Sequence, residues 1–60
     1  METVFLVNHI HPLPNEDEDV KFIGIYLTKQ DAEEAVKRIK ILPGFSEYPD
    51  RFHIEEYEIW

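Results

Sequence analysis

Residues 3–10, TVFLVNHI, predict a strand that carries apolar side chains on both faces. Alternation along the strand divides these side chains into two sets, with Val4, Leu6 and Ile10 on one face and Phe5, Val7 and His9 on the other. A sheet face in contact with water normally shows polar residues, whereas a strand with two apolar faces is usually central and covered on both sides. We therefore expect residues 3–10 to form the middle strand of a sheet.

A second strand of the same kind is predicted for residues 20–27, VKFIGIYL. Its alternation sets Phe22 and Tyr26 against a second group, Ile23, Ile25 and Leu27. Gly24 indicates a β-bulge or a close backbone approach within this strand. Two prolines and a run of carboxylates predict a long, solvated hairpin loop between the two strands. The carboxylates of this acidic loop are Glu16, Asp17, Glu18 and Asp19.

An amphipathic helix is predicted after Thr28, whose side chain can cap the free amide of Asp31. Apolar residues recur at spacings of three and four and form one stripe, namely Ala32, Ala35, Val36, Ile39 and Leu42. The two alanines would let the helix lie close to a sheet. Pro43 and Gly44 predict the end of the helix.

The last strand is predicted for residues 52–60, and its apolar pairs fall out of phase. Phe52 and Ile54 share one parity, Tyr57 and Ile59 share the other, and a bulge near Glu55-Glu56 would bring all four to one face. The element order is β-β-α-β, with a crossover over the first strand. We therefore predict an α+β fold, a single domain over residues 1–60, with an antiparallel three-stranded sheet in the order 2-1-3 and the helix on one face.

One helix covers one face of such a sheet, so one of two apolar sets has no partner within the chain: either Phe5, Val7, Phe22 and Tyr26, or Val4, Leu6, Ile23, Ile25 and Leu27. Large exposed apolar patches usually mark association. We expect a homodimer formed through the open sheet face or a sheet edge, with a stable hetero-partner as the variant. The alternative is that residues 43–51, with Phe45 and Tyr48, fold under the sheet and cover part of that face.

The amino-acid composition excludes or disfavours several classes of function. The chain has 60 residues, thirteen Asp or Glu against six Lys or Arg, a formal net charge of −7 and no cysteine. A domain of about 60 residues is marginally stable alone, and the missing cysteines exclude disulfides and thiolate zinc sites. Excess negative charge disfavours nucleic acid. No apolar run approaches the roughly 20 residues of a membrane span and no export signal is evident, so we expect a cytoplasmic protein without membrane contact.

Histidines provide the one metal-site hypothesis. His9 and His11 would share a strand face, and His53 would begin the neighbouring strand at the same end of the sheet. The alternative is that these are ordinary strand and loop residues. The chain lacks a Gly-x-Ser-x-Gly motif and a glycine-rich phosphate loop, so we expect no enzyme and no cofactor.

Several landmarks resemble a family of very short, uncharacterised bacterial and phage domains. They comprise a first strand ending in His9, residues 24–28 (GIYLT), Ala32 and Ala35, residues 43–45 (PGF), and residues 52–54 (FHI) followed by Tyr57. The likeness covers about residues 3–59 and its motifs are structural. It implies a free-standing bacterial or phage β-β-α-β domain and carries over no activity, cofactor or catalytic residue.

The function predicted from these features is that of a small acidic interaction protein. It would form a homodimer and bind and inhibit another protein, as phage anti-defence proteins, immunity proteins and antitoxins do. The predicted partner-binding residues are Phe5, Val7, Phe22, Tyr26, Glu55, Glu56 and Glu58. The alternative is a small-ligand or metal-binding module that uses the three histidines or a pocket at a dimer interface.

Overall fold

A computed structural model describes residues 2–59 of the chain. Its elements are β1 (Glu2–Pro12), β2 (Glu18–Tyr26), α1 (Lys29–Ile39) and β3 (Phe52–Ile59). Both β2 and β3 pair antiparallel with β1, and the sheet order is β2-β1-β3. The predicted α+β fold and the central place of the first strand are confirmed. Trp60, which the prediction included in the last strand, lies outside the described residues.

The hairpin strands are longer than predicted and the loop between them is shorter. Pairing continues to Pro12 opposite Glu18, and the backbone N–H of Leu13 donates to the carbonyl of Asp17 at 2.9 Å. Glu16 closes the turn with a φ of 67°, in the left-handed region. The acidic loop is therefore the tip of a tight hairpin arm.

Helix α1 begins where the sequence predicts a cap. The Thr28 hydroxyl oxygen accepts a hydrogen bond from the Asp31 N–H at 3.0 Å, and the backbone of Thr28 is extended. Ala32 and Ala35 are fully buried. The helix ends at Ile39, earlier than predicted, and Leu42 lies outside it in an exposed turn.

The early end of the helix has a local cause. Pro43 disfavours helical geometry at the residue before it, so Leu42 leaves the apolar stripe. Gly44 then takes a φ of 91°, which side chains with a Cβ rarely adopt. Within residues 2–59, no helix has the length and apolarity needed to cross a membrane.

A β-bulge in β2 changes which side chains share a face. Val7 lies opposite Gly24, but Asn8 lies opposite Phe22, so Ile23 is an extra residue in β2. Paired residues point to the same side of a sheet, and the bulge therefore moves Phe22 away from the face of Tyr26. The bulge predicted from Gly24 is confirmed, whereas the predicted grouping of Phe22 with Tyr26 is wrong.

Strand β3, unlike β2, pairs with β1 without a bulge. Its register against β1 runs without interruption from Ile59 opposite Glu2 to Phe52 opposite His9. The bulge expected near Glu55-Glu56 does not form, and the two apolar pairs of β3 remain on opposite faces. Cross-strand pairing in the middle of the sheet holds this regular register in place.

The register defines two faces. The apolar and aromatic residues of the covered face include Phe5, Val7, His9, Tyr26, Phe52 and Ile54. The apolar residues of the open face are Val4, Leu6, Ile10, Val20, Phe22, Ile25, Tyr57 and Ile59, and polar residues of the same face include Glu2, Asn8, His53 and Glu55. Val7 and His9 are almost fully buried, as are the two alanines of α1, so the helix lies on the covered face.

The loop after the helix also lies on the covered face. The Phe45 ring contacts the His9 ring at a centroid distance of 4.9 Å, and Tyr48 contacts His11 at the same distance. Residues 43–51 therefore fold onto the sheet, but on the side that α1 already occupies. The alternative in which this loop shelters the second apolar face is wrong.

Candidate functional site

The open face presents large apolar side chains to water. Five of them are exposed by about half: Val20 by 57%, Phe22 by 58%, Ile25 by 58%, Tyr57 by 47% and Ile59 by 45%. Between them, the side chains of the central strand are better protected, with Val4 buried and Leu6 and Ile10 half-buried. The apolar residues of this face are therefore distributed over all three strands, with the polar residues Asn8, His53 and Glu55 among them.

The chain is flatter and more extended than a compact monomer of its length. The chain exposes 4669 Å², whereas a compact monomer of 7.2 kDa is expected to expose about 4,100 Å². The radius of gyration is 12.5 Å, against about 10.4 Å for a compact domain of this length. The extents of 41 × 23 × 13 Å show that the excess of roughly 500 Å² belongs to a flat, elongated chain as a whole.

Glu55 is a carboxylate in the middle of the open face, and Glu2 and Glu18 lie toward the ends of the same face. Glu55 lies opposite Leu6, and its Oε2 accepts a hydrogen bond from the Tyr57 hydroxyl at 2.6 Å. This hydrogen bond, together with the negative charge of Glu55, raises the pKa of Tyr57 above its ordinary value. Tyr57 therefore stays protonated and keeps one oxygen of Glu55 occupied.

The Tyr57–Glu55 pair predicts a pH dependence. Glu55→Gln should lower the pKa of Tyr57 toward about 10, because the carboxylate charge is lost. Since the folded state prefers neutral Tyr57, the stabilisation is complete below the unfolded pKa and is lost as pH rises through the folded pKa. Ultraviolet titration of phenolate, with Tyr57→Phe subtracted, measures the change. An unchanged titration in Glu55→Gln would contradict the pairing.

The predicted partner-binding residues are divided between the two sides of the sheet. Phe22 and Glu55 lie on the open face. The others lie on the covered face, namely Phe5, Val7, Tyr26, Glu56 and Glu58, and Val7 has no exposed surface. The bulge at Ile23 and the unbroken register of β3 cause this division.

Four exposed residues of the open face are absent from the predicted partner-binding residues, namely Val20, Ile25, Tyr57 and Ile59, although Ile25 belonged to one of the two sets expected to lack cover. The signals that could have found them were present. Gly24 marked the bulge in β2, and the opposite parity of the two apolar pairs in β3 marked Tyr57 and Ile59 as belonging to a different face.

His9 is a core residue. Its ring is 2% exposed and lies against Phe45 and Phe52, whose centroids are 4.9 and 4.6 Å away. Nε2 lies 3.1 Å from the backbone carbonyl of Tyr48. A carbonyl oxygen only accepts, so Nε2 carries the proton and donates. His9 thus ties the loop after α1 to the central strand.

The three histidines do not form one cluster. His9 and His11 share the covered face as predicted, but His53 is paired with Asn8 and points to the other side of the sheet. Among residues 2–59, no group of three histidine or carboxylate side chains is arranged to hold a metal ion. The predicted gathering at one end neglected that β3 places its first two residues on opposite faces.

The acidic loop remains in water at the tip of the hairpin. Glu16, Asp17, Glu18 and Asp19 are all exposed, and the last two belong to β2, opposite Pro12 and His11. Glu56 and Glu58 are exposed as well. These exposed carboxylates therefore lie at two places, namely the tip of the hairpin and strand β3.

Among known proteins, a family described as "Domain of unknown function (DUF7336)" matches residues 2–60. No curated protein and no solved structure matches the chain. The match covers all but the first residue, and it confirms the predicted membership in a family of short domains to which no function is assigned. The chain therefore belongs to the family described as Domain of unknown function (DUF7336).

Proposed function

We propose that this protein is a small, acidic, non-enzymatic interaction protein that binds another polypeptide through its open face. The observation that supports the proposal is the half-exposure of five large apolar side chains on the two outer strands of that face. Monomeric proteins rarely leave large apolar patches in water, and the patches that persist usually bind protein. The exposed apolar side chains of this face therefore favour the surface of another protein as the ligand.

We further propose that this protein, once bound, inhibits a partner protein that has a basic surface. The net charge of −7 and the exposed acidic loop would attract such a partner and speed its association. Carboxylates arranged in this way can occupy a site that otherwise binds phosphate. Phage anti-defence proteins, immunity proteins and antitoxins act in this manner, and a cytoplasmic location suits a chain without cysteine.

Affinity capture with the full chain as bait tests the proposal. The wild-type bait should retain a second protein in stoichiometric amount from a lysate of the native host. Phe22→Asp, which places a charge on the open face, should lose that protein. Ile41→Asp is the matched control, because Ile41 is 73% exposed and lies outside the sheet.

Two results would contradict the proposal. One is a wild-type bait that retains no stoichiometric protein, and the other is equal retention by Phe22→Asp and wild type. The charge component has its own measurement, because capture of a basic partner should weaken as salt is raised. Circular dichroism of each variant establishes that it is folded.

A further inference from the structure

We infer that the open face binds an amphipathic helix of the partner protein, one that carries Lys or Arg beside its apolar stripe. The inference rests on the proposed function, since it names the chemistry of the partner at the same face. In the middle of this face, β2 contributes the apolar residues Phe22 and Ile25, whereas β3 contributes the polar residues His53 and Glu55. A ligand that has an apolar side and a polar side matches this division.

The charges of the open face favour a basic ligand. Its carboxylates are Glu2 and Glu18 toward the ends and Glu55 in the middle, and all three are exposed. Among the residues that pair within the described sheet, the one Lys or Arg is Lys21, on the covered face. Arg51 stands just outside the sheet, at the end opposite to Glu2. A second copy of this chain would bring its own carboxylates to the same face, so like charges oppose it.

The width of the sheet fits one helix. Neighbouring strands lie about 4.8 Å apart, so the two outer strands of a three-stranded sheet are separated by about 10 Å, close to the diameter of an α-helix. The covered face already packs against one helix, α1. An amphipathic helix on the open face would bury residues spaced three and four apart, and a residue flanking that stripe would carry the cation.

Glu55 is the carboxylate on which the selection of a basic ligand depends most. It stands opposite Leu6, and the Tyr57 hydroxyl donates to its Oε2 at 2.6 Å. A carboxylate can accept several hydrogen bonds, so Oε1 can bind an ammonium or guanidinium group of the partner. The hydrogen bond from Tyr57 holds the acceptor in place beside the apolar residues.

Synthetic peptides of about 18 residues, equivalent to about 27 Å of helix, test the inference on the full chain. One is an amphipathic Leu/Lys helix, the second replaces each Lys with Glu, and the third is a scrambled Leu/Lys sequence without an apolar stripe. Fluorescence anisotropy should show binding of the amphipathic Leu/Lys peptide and at least about 10-fold weaker binding of the other two. The binding should weaken as salt is raised.

Charge reversal on the two sides of β3 provides the matched control. Glu55→Lys should weaken binding of the amphipathic Leu/Lys peptide about 10-fold and strengthen binding of the Leu/Glu peptide, because an attraction becomes a repulsion. Glu56→Lys changes the net charge equally at an exposed position of the covered face, and it should bind within about 2-fold of wild type. Glu55→Gln, which keeps an acceptor for Tyr57, should bind about 3-fold more weakly and decides the matter if Glu55→Lys does not fold.

Three results would overturn the inference: no binding of the amphipathic Leu/Lys peptide, equal binding of either other peptide, or equal effects of Glu55→Lys and Glu56→Lys. The proposed function fails separately. Capture of a stoichiometric protein that is lost in Phe22→Asp but unchanged in Glu55→Lys refutes the basic helix alone. A wild-type bait that retains no stoichiometric protein refutes the proposed function.

Discussion

His9→Ala should lower the free energy of unfolding by about 3 kcal/mol, the largest effect expected in this chain. The substitution removes a ring that packs between Phe45 and Phe52 and leaves a cavity, which costs about 2–5 kcal/mol for a large buried side chain. It also removes the donor to the Tyr48 carbonyl, worth about 1 kcal/mol. A domain of this length has a total stability of only about 3–9 kcal/mol, so the variant should lose about a third of its stability or more.

Two further variants separate the loss of packing from the loss of the hydrogen bond. His9→Phe keeps an aromatic ring but leaves the Tyr48 carbonyl without its donor, so we expect a smaller loss of about 1–2 kcal/mol. His11→Ala is the matched control, because its ring is only half-buried and contacts Tyr48 alone among the aromatic rings. Urea unfolding followed by circular dichroism measures the stability of all three variants. A His9→Ala midpoint equal to that of wild type would contradict the assignment of His9 to the core.

Ala35→Leu should destabilise the fold by about 1–3 kcal/mol through overpacking. Ala35 has no exposed surface, and it lies on the side of α1 that faces the sheet. Three added carbon atoms must either strain the neighbouring side chains or push the helix away from β1. Because Val7 is fully buried on the face that α1 occupies, a displaced helix would expose the core of the covered face.

Glu34→Leu is the control for the helix substitution. It adds an apolar side chain at the neighbouring exposed position, where no packing opposes it, and we expect a change within about 0.5 kcal/mol. Thermal unfolding of the two variants measures the difference. If Ala35→Leu is as stable as Glu34→Leu, the helix does not lie as close to the sheet as the two buried alanines indicate.

The candidate site shows how far a binding surface can be anticipated from residues alone. That one face of the sheet would lack cover was predicted, and the structure leaves one apolar face open. The membership of that face was predicted only in part, since Phe22 and Glu55 belong to it whereas Phe5, Val7 and Tyr26 do not. The error arose in β2. Gly24 indicated a bulge, but the predicted faces did not include the reversal of side-chain direction that a bulge causes.

The histidines illustrate the same limit. The shared face of His9 and His11 follows from strand alternation and is present in the structure. The position of His53 depends on its register against β1, which alternation within β3 does not specify. The aromatic surroundings of His9 depend on a loop 36 or more residues away in the chain, so its place in the core was not predictable from its neighbours.

Local patterning was sufficient for the order of the elements, the central place of β1 and the Thr28 cap, because each depends on a few residues close together in the chain. Strand pairing was needed to assign the open face. One inserted residue, Ile23, reverses the side on which Phe22 and Val20 stand, and its absence in β3 leaves Tyr57 and Ile59 in water. Side-chain direction alternates with a period of two, so a single bulge exchanges core and surface for every residue beyond it.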